Sequence, residues 1–332
     1  MKPLRLALFG LGRAGRFHLQ SIRLATGVKL LHVVDVDADV AQDVAAQYDC
    51  QWASDRQAAL ADPQVDAVIV ATPTQTHHDY IIDSLEAGKA VFTEKPLGTG
   101  IGEIDACYQK AEDRGLPLFL GFMRRFDPSF ADLAQRVHGG EIGTLQLLRT
   151  TSRDCPLPTI DYIKTSHGIF HDCIVHDLDM VRFVAREEPI EVFAYGSSFI
   201  EEIGAVGDID TVMIMLKFGS GLLCSIDISR HAVYGYDQRI EAFGNGGMIQ
   251  AENRSSLTTL TSGGSGVTRA PIEFSFPTRY REAYLRELEV FRDVVVSGEP
   301  LPIQHQDARR NFVLADAAER SFRSGQPVAI EV

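Results

Sequence analysis

Up to about residue 121, short apolar runs alternate with helix-length amphipathic segments, the rhythm of βα units around a parallel sheet. The pattern predicts strands at Leu4 to Phe9, Val28 to Asp35, Ala67 to Ala71, Ala90 to Thr93 and Leu116 to Gly121. The uninterrupted run AVIVA suits a strand covered on both faces. After Gly121 the rhythm changes. Phe126-Asp127-Pro128 reads as a capped helix start, a strand follows from Thr144 to Thr151, and Phe170 to Val184 is helix-length. Strand-length runs with glycine-rich turns then occupy Ile190 to Phe276. Leu222, Cys224, Ile226 and Ile228 alternate with more polar residues, the period of a strand with one buried face, and Ser262 to Gly266 reads as a hairpin loop. Tyr284, Leu288, Phe291 and Val295 fall at helical spacing, as do Ala308, Phe312, Ala315 and Phe322, so two helices are expected at the end.

This pattern predicts an α/β protein of two domains. The first, 1–121, would be a doubly wound, mainly parallel sheet; the second, 122–332, an α+β domain with a large, open, mostly antiparallel sheet. A C-terminal helix at 306–323 is expected to pack back on the first domain. A length of 332 residues exceeds one comfortable core, which fits two domains. The formal net charge of -13 argues against a nucleic-acid binder, which needs clustered Lys and Arg, and leaves a small molecule as the expected ligand. No apolar run approaches the roughly 20 residues that span a bilayer, so no membrane partner is expected. Arg5 and Arg13 interrupt the apolar N-terminal stretch, and no leader is expected. Five cysteines without a CxxC pair read as reduced thiols, which favours the cytoplasm.

Gly10, Gly12 and Gly15 stand in G-x-G-x-x-G spacing directly after a predicted strand and at the start of a predicted helix. Gly10 would allow the tight turn, Gly12 the approach of a pyrophosphate and Gly15 the packing of helix on strand, which predicts a Rossmann dinucleotide site. Asp35 closes the second strand about 20 residues later, where a carboxylate accepts hydrogen bonds from the adenosine ribose. It would also repel a 2′-phosphate, and no Arg follows it in DVDAD, so NAD is expected over NADP. Asp37 reads as a helix cap.

Two later segments carry chemistry. Glu94, Lys95 and Pro96 follow a predicted strand and so belong at the carboxyl end of the sheet, where ligands bind. In the second segment, a helix apolar almost all round carries Asp172, His176 and Asp179 at i, i+4 and i+7; at about 100° per residue they share one face. Polar groups on a buried helix need partners or a cavity, so the bland alternative is a core histidine bridged to Asp172. His171 and His176 are five apart, on different sides of the helix, and no metal is expected.

GLGRAG, Asp35, ATPTQTHH, EKP, GFMRRFDP and HDCIVHDLD together resemble the glucose-fructose oxidoreductase and inositol dehydrogenase family over nearly the whole chain. The resemblance implies NAD-dependent oxidation of a secondary alcohol on a cyclic polyol such as inositol, by a catalytic group of Lys95, Asp172 and His176 facing the nicotinamide. His176 would be the general base, its ordinary pKa of about 6.5 suiting a hydroxyl proton at neutral pH. Lys95 would hold the reacting oxygen and Asp172 would orient the substrate. The resemblance further implies that Arg13, Ala14, Ala71, Thr72, Pro73, His77 and Glu94 join the glycines at the dinucleotide. Arg125, Asp127, Arg153, Asp154 and Tyr236 would face the substrate. A homo-oligomer, dimer or tetramer, associating through the C-terminal sheet is expected. The alternatives are another sugar or polyol dehydrogenase of the same family, or a protein that senses NAD(H) without catalysis.

Overall fold

The computed structural model describes residues 3–330. Its first half runs β1 (Leu4–Phe9), α1 (Arg13–Leu24), β2 (Val28–Val34), α2 (Ala38–Tyr48), β3 (Gln51–Ala53), α3 (Arg56–Ala61), β4 (Ala67–Val70), α4 (His77–Glu86), β5 (Ala90–Glu94), α5 (Ile101–Arg114) and β6 (Leu118–Gly121). Next come α6 (Pro128–His138), β7 (Leu145–Arg153), α7 (Ile160–Thr165), a π-helical turn at Phe170–Ile174, α8 (Val175–Ala185), β8 (Pro189–Ser197), α9 (Glu201–Ala205), β9 (Thr211–Phe218) and β10 (Leu223–Ser229). The chain finishes with β11 (Asp237–Gly244), β12 (Gly247–Ala251), the hairpin β13 (Leu260–Gly263) and β14 (Gly266–Arg269), α10 (Phe276–Arg279), α11 (Arg281–Ser297), α12 (His305–Ser324) and β15 (Val328–Ala329).

Two compact units result. One extends to Phe126 and takes in Arg281–Arg310; the other comprises Asp127–Tyr280 and the chain from Asn311 on. The first unit is a six-stranded sheet in the order β3-β2-β1-β4-β5-β6, and every pairing is parallel. The order reverses between β1 and β4, the place where a doubly wound sheet opens a crevice for ligand. All four residues of β4 are buried, as the continuous apolar run requires. Helix α11 returns to this unit because Leu288 and Phe291 need cover: Phe291 meets Phe92 and Phe119 with ring centroids 5.6 Å away in each case. Full burial of each such side chain contributes about 1.5–3 kcal/mol.

The second unit is built on a seven-stranded sheet in the order β12-β11-β7-β10-β9-β8-β15. Only the β7–β10 pairing is parallel; the others are antiparallel. Alternation is strict where the sequence shows it: Cys224, Ile226 and Ile228 face inward from β10, and Val212, Ile214, Leu216 and Phe218 do so from β9. One expectation fails here. The stretch around Phe170 to Val184 is not one regular helix, because its first turn is a π turn that takes in an extra residue. The 3.6-residue phase that put Asp172 in line with His176 and Asp179 therefore does not carry through it. Asn311 supports the junction, its amide donating to the Val175 carbonyl at 2.8 Å.

Candidate active site

In the first unit, β1 delivers the chain to the glycine loop at the carboxyl end of the sheet. Gly10 has φ of +87°, and a Cβ there would lie 2.6 Å from the Ala71 carbonyl oxygen. A Cβ on Gly15 would lie 2.0 Å from the Gly10 carbonyl oxygen. These two glycines are demanded by the protein's own packing. Gly12 is different: nothing stands within 4 Å of where its Cβ would be, and the α1 N-terminus behind it has no side-chain cap. The bare loop and the uncapped N–H groups suit a pyrophosphate. Arg13 and Ala14 open that helix, Arg13 exposed and Ala14 half-buried. Asp35 braces the loop, accepting from the Leu11 amide at 2.7 Å and the Asp37 amide at 3.0 Å. Each carboxylate oxygen retains acceptor capacity for a ribose hydroxyl. Asp37 caps α2 through the Asp39 and Val40 amides.

Beyond β4, Ala71, Thr72 and Pro73 lead into a 3-10 turn in which the Thr76 hydroxyl donates to Thr72 Oγ1 at 2.9 Å. His77 has another task than the expected contact with dinucleotide. Its Nδ1 lies 2.8 Å from the Pro96 carbonyl oxygen and its Nε2 2.8 Å from that of Thr72, so the ring is spent on backbone. It ties the loop after β4 to the loop after β5, and its burial lowers its pKa against the pull of the two carbonyls. Glu94, the last residue of β5, is held by His18 Nε2 at 2.8 Å. Lys95 follows, half-buried, and the Lys95-Pro96 peptide is cis.

In the second unit the π turn presents Asp172, whose Oδ1 accepts from the Tyr162 hydroxyl at 2.7 Å and whose Oδ2 accepts from Arg230 Nη1 at 2.9 Å. Arg230 is fully buried and reaches Asp208 at 3.1 Å with its other amino group. Burial opposes its charge, but Cys173, Asp172 and Asp208 outweigh it and hold the guanidinium protonated. Burial, reinforced by Asp172, pushes the Tyr162 phenol up, so Tyr162 is a donor and not a base. His176 lies one turn further along, 9% exposed, at the start of α8. Asp154 joins this group through the Cys173 thiol, which lies 3.8 Å from Asp154 Oδ2 and 3.7 Å from Asp172 Oδ2.

The remaining expected substrate residues are placed as supports. Asp127 is 1% exposed; it caps α6 through the Ser129 and Phe130 amides and pairs with the buried Arg279. Its carboxylate is thus committed within the second unit, and the expectation of a substrate contact gives way. Tyr236 is buried against Tyr280, ring centroids 5.9 Å apart. Arg125 reaches Asp307 at 3.2 Å, and Arg153 lies across the sheet on Asp227 at 2.7 Å and the Tyr234 hydroxyl at 3.0 Å. The residues that sequence reading missed are Tyr162, Asp208 and Arg230. Arg230 had a faint signal, a charge directly after the alternating strand SIDIS. Among the described residues His171, Asp316 and Glu319 come within reach of one ion, but Asp316 is exposed and Glu319 is paired with Arg323, so ion pairing accounts for them.

Residues 4–122 match the GFO/IDH/MocA oxidoreductase family, NAD-binding Rossmann fold, and residues 130–250 match the GFO/IDH/MocA C-terminal domain. The chain is 40% identical over 330 residues to the myo-inositol 2-dehydrogenase of Thermotoga maritima, covering 99% of each protein. It is 37% identical to the scyllo-inositol 2-dehydrogenase (NAD(+)) of Bacillus subtilis, covering 99% of this chain and 96% of that one. Among solved structures, a putative myo-inositol dehydrogenase from Sinorhizobium meliloti superposes with a TM-score of 0.96 at 38% identity, covering 99% of this chain and 100% of that chain.

Proposed function

This chain belongs to the GFO/IDH/MocA family of NAD-binding oxidoreductases, and from that premise we propose that it oxidises a ring hydroxyl of inositol to the ketone with NAD. The observation that carries the reading is identity along the entire chain to proteins named as myo- and scyllo-inositol dehydrogenases. The bare Gly12, the uncapped helix and Asp35 support the cofactor. The bound dinucleotide supplies the nicotinamide that takes the hydride. His176 accepts the hydroxyl proton, while the Lys95 ammonium steadies the negative charge that grows on the same oxygen. Asp172, fixed by Tyr162 and Arg230, orients the ring by accepting from a second hydroxyl.

NADH formation with myo-inositol, scyllo-inositol and a set of aldopyranoses tests the substrate; oxidation of a pyranose with no turnover of any inositol overturns it. Lys95→Ala and His176→Ala are each expected to lower kcat by about 10²–10⁴-fold. The double variant should be little worse than either, because groups serving one proton transfer are not additive. Fully additive losses would separate the two residues.

The outer face of the large sheet supports association of copies. Tyr195 pairs with Met213, and Met215 lies two residues further along β9, opposite Phe193; Tyr195, Met213 and Met215 are exposed, at 66%, 58% and 47%. Leu223, Phe243 and Met248 extend the apolar surface on β10, β11 and β12. The ion pairs Arg149–Glu241 and Arg153–Asp227 stand on the same face, and exposed apolar side chains set among polar groups suit a second copy of the chain. Sedimentation of the Met213→Glu, Met215→Glu variant checks it, with dissociation expected and an unchanged mass counting against it. Five free cysteines, Cys50, Cys107, Cys155, Cys173 and Cys224, support a reducing compartment, the cytoplasm. No helix among the described residues is long and apolar enough to cross a membrane.

A further inference from the structure

Helix α11 carries a carboxyl that the reaction above does not use. Glu287 is 0% exposed, and neither of its oxygens has a hydrogen-bond partner. Its near neighbours on the helix, Ala283, Tyr284, Leu288 and Phe291, are buried with it. Against α11 packs α1, from which His18 approaches; the His18 ring lies edge-on to Tyr284 with centroids 5.9 Å apart. His18 is 1% exposed, gives Nε2 to Glu94 and has no partner at Nδ1.

The other charged groups on the elements packed against α11 are accounted for. Arg13, Arg16 and Arg23 of α1 are exposed, and Arg5 of β1 is paired with Asp66. On the 3-10 turn Met123–Phe126, Arg125 is paired with Asp307; Arg124 is buried, and neither arginine is among the charges that shift Glu287. The charge that acts on Glu287 is that of Glu94; burial first, and then that charge, raises its pKa well above the ordinary carboxyl value. Leaving a buried acid without a partner is costly, so its presence calls for a reason.

The topology supplies one. Asp35 on β2 and the glycine loop after β1 mark the adenosine and pyrophosphate side of the parallel sheet, so the nicotinamide falls to the carboxyl ends of β4, β5 and β6. Glu94 ends β5. We propose that Glu287 and Glu94, with His18 bonded to Glu94, hold one shared proton in the nicotinamide half of the site, taken up from solvent when the ring is reduced and released when it is oxidised. When hydride arrives the ring passes from cation to neutral dihydropyridine, losing one positive charge. Phe291, one turn after Glu287, meets Phe92, two residues before Glu94, with ring centroids 5.6 Å apart, so α11 and β5 bring the two carboxyls to one buried site. There they cannot both stay ionised without such a counter-charge, so the proton replaces it. Glu287 is thus a positioning residue that acts through Glu94.

The proposal rests on dinucleotide binding by this unit, and one titration separates the two. Calorimetry of NAD+ and NADH across pH, in buffers of different ionisation enthalpy, should show NADH binding with uptake of up to about one proton more than NAD+. The NADH-to-NAD+ affinity ratio should then fall by as much as about tenfold per pH unit as pH rises. Glu287→Gln, the neutral isostere of the protonated acid, should bind both forms with a ratio independent of pH. A flat ratio in the wild-type protein, or an undiminished slope in Glu287→Gln, overturns the proposal; failure to bind either form overturns the cofactor reading instead. Should Glu287→Gln not fold, the infrared difference spectrum between the two wild-type complexes decides. A protonated-carboxyl carbonyl band gained with NADH supports the shared proton, and its absence removes it.

Discussion

The glycine loop of the first unit and the π turn of the second both carry groups on which the proposed function draws, but they are made of different material. The loop works with backbone: positive φ at Gly10, a close approach at Gly15, open space at Gly12 and a start of α1 that no side chain caps. The turn works with side chains gathered from far apart in the chain, Tyr162, Asp172, Asp208 and Arg230. Backbone geometry is written in a short consecutive motif, whereas a side-chain network is written only in the fold. The two should therefore break differently when altered.

The largest expected effect is on the side-chain network. Arg230→Met removes the cation between Asp172 and Asp208 while keeping much of the buried stem. Breaking one partner of a buried ion pair costs about 3–5 kcal/mol, because the partner left behind stays charged and desolvated. Chemical denaturation should show this loss, and kcat should fall as Asp172 loses its orientation. A variant as stable as the wild type would mean that the two aspartates find other partners, and the network would not be the unit described.

The loop separates its own three glycines. Gly10→Ala places a side chain at positive φ and 2.6 Å from a carbonyl, and should destabilise the protein by at least about 1–2 kcal/mol. Gly12→Ala meets nothing and should leave stability within about 0.5 kcal/mol, yet weaken NAD binding by at least about tenfold if the open space is where the pyrophosphate lies. Equal NAD affinity in Gly12→Ala and the wild type would move the phosphate elsewhere.

Legibility followed the same line. Five strands of the parallel sheet, the glycine loop and Asp35 were readable because each rests on local order: continuous apolar runs, a fixed spacing and a residue at the end of a strand. The alternation in β10 and the two last helices were readable for the same reason. The π turn was not, because periodicity assumes a constant residue count per turn and an inserted residue shifts the phase. Asp127 shows a further limit. FDP gave both a helix cap and a cleft acid as readings, and only the approach of Arg279, 152 positions away, decides for the cap and ion pair. Glu287 carries no local signature and Arg230 only a charge directly after an alternating strand, since what distinguishes both is burial.

The smallest effect tests whether acid sensitivity follows the side-chain material. Asp237, at the start of β11, accepts from Arg239 Nε at 2.8 Å, from the Tyr234 hydroxyl at 2.6 Å and from the Asn253 amide. Burial alone would raise its pKa, but those bonds outweigh burial and hold it below the ordinary carboxylate value. A folded-state pKa below the unfolded one stabilises the protein above the unfolded value of about 3.9, and the contribution is lost as pH falls through the folded value. Asp237→Asn should therefore be less stable than the wild type at pH 7, by on the order of 1 kcal/mol after solvent screening. The gap should close below about pH 4, where the wild-type carboxylate takes up its proton. Urea unfolding at neutral and acid pH reads both arms. If the gap is the same at every pH, hydrogen-bond geometry and not charge is what Asp237 contributes, and the second unit is less electrostatic than its arrangement suggests.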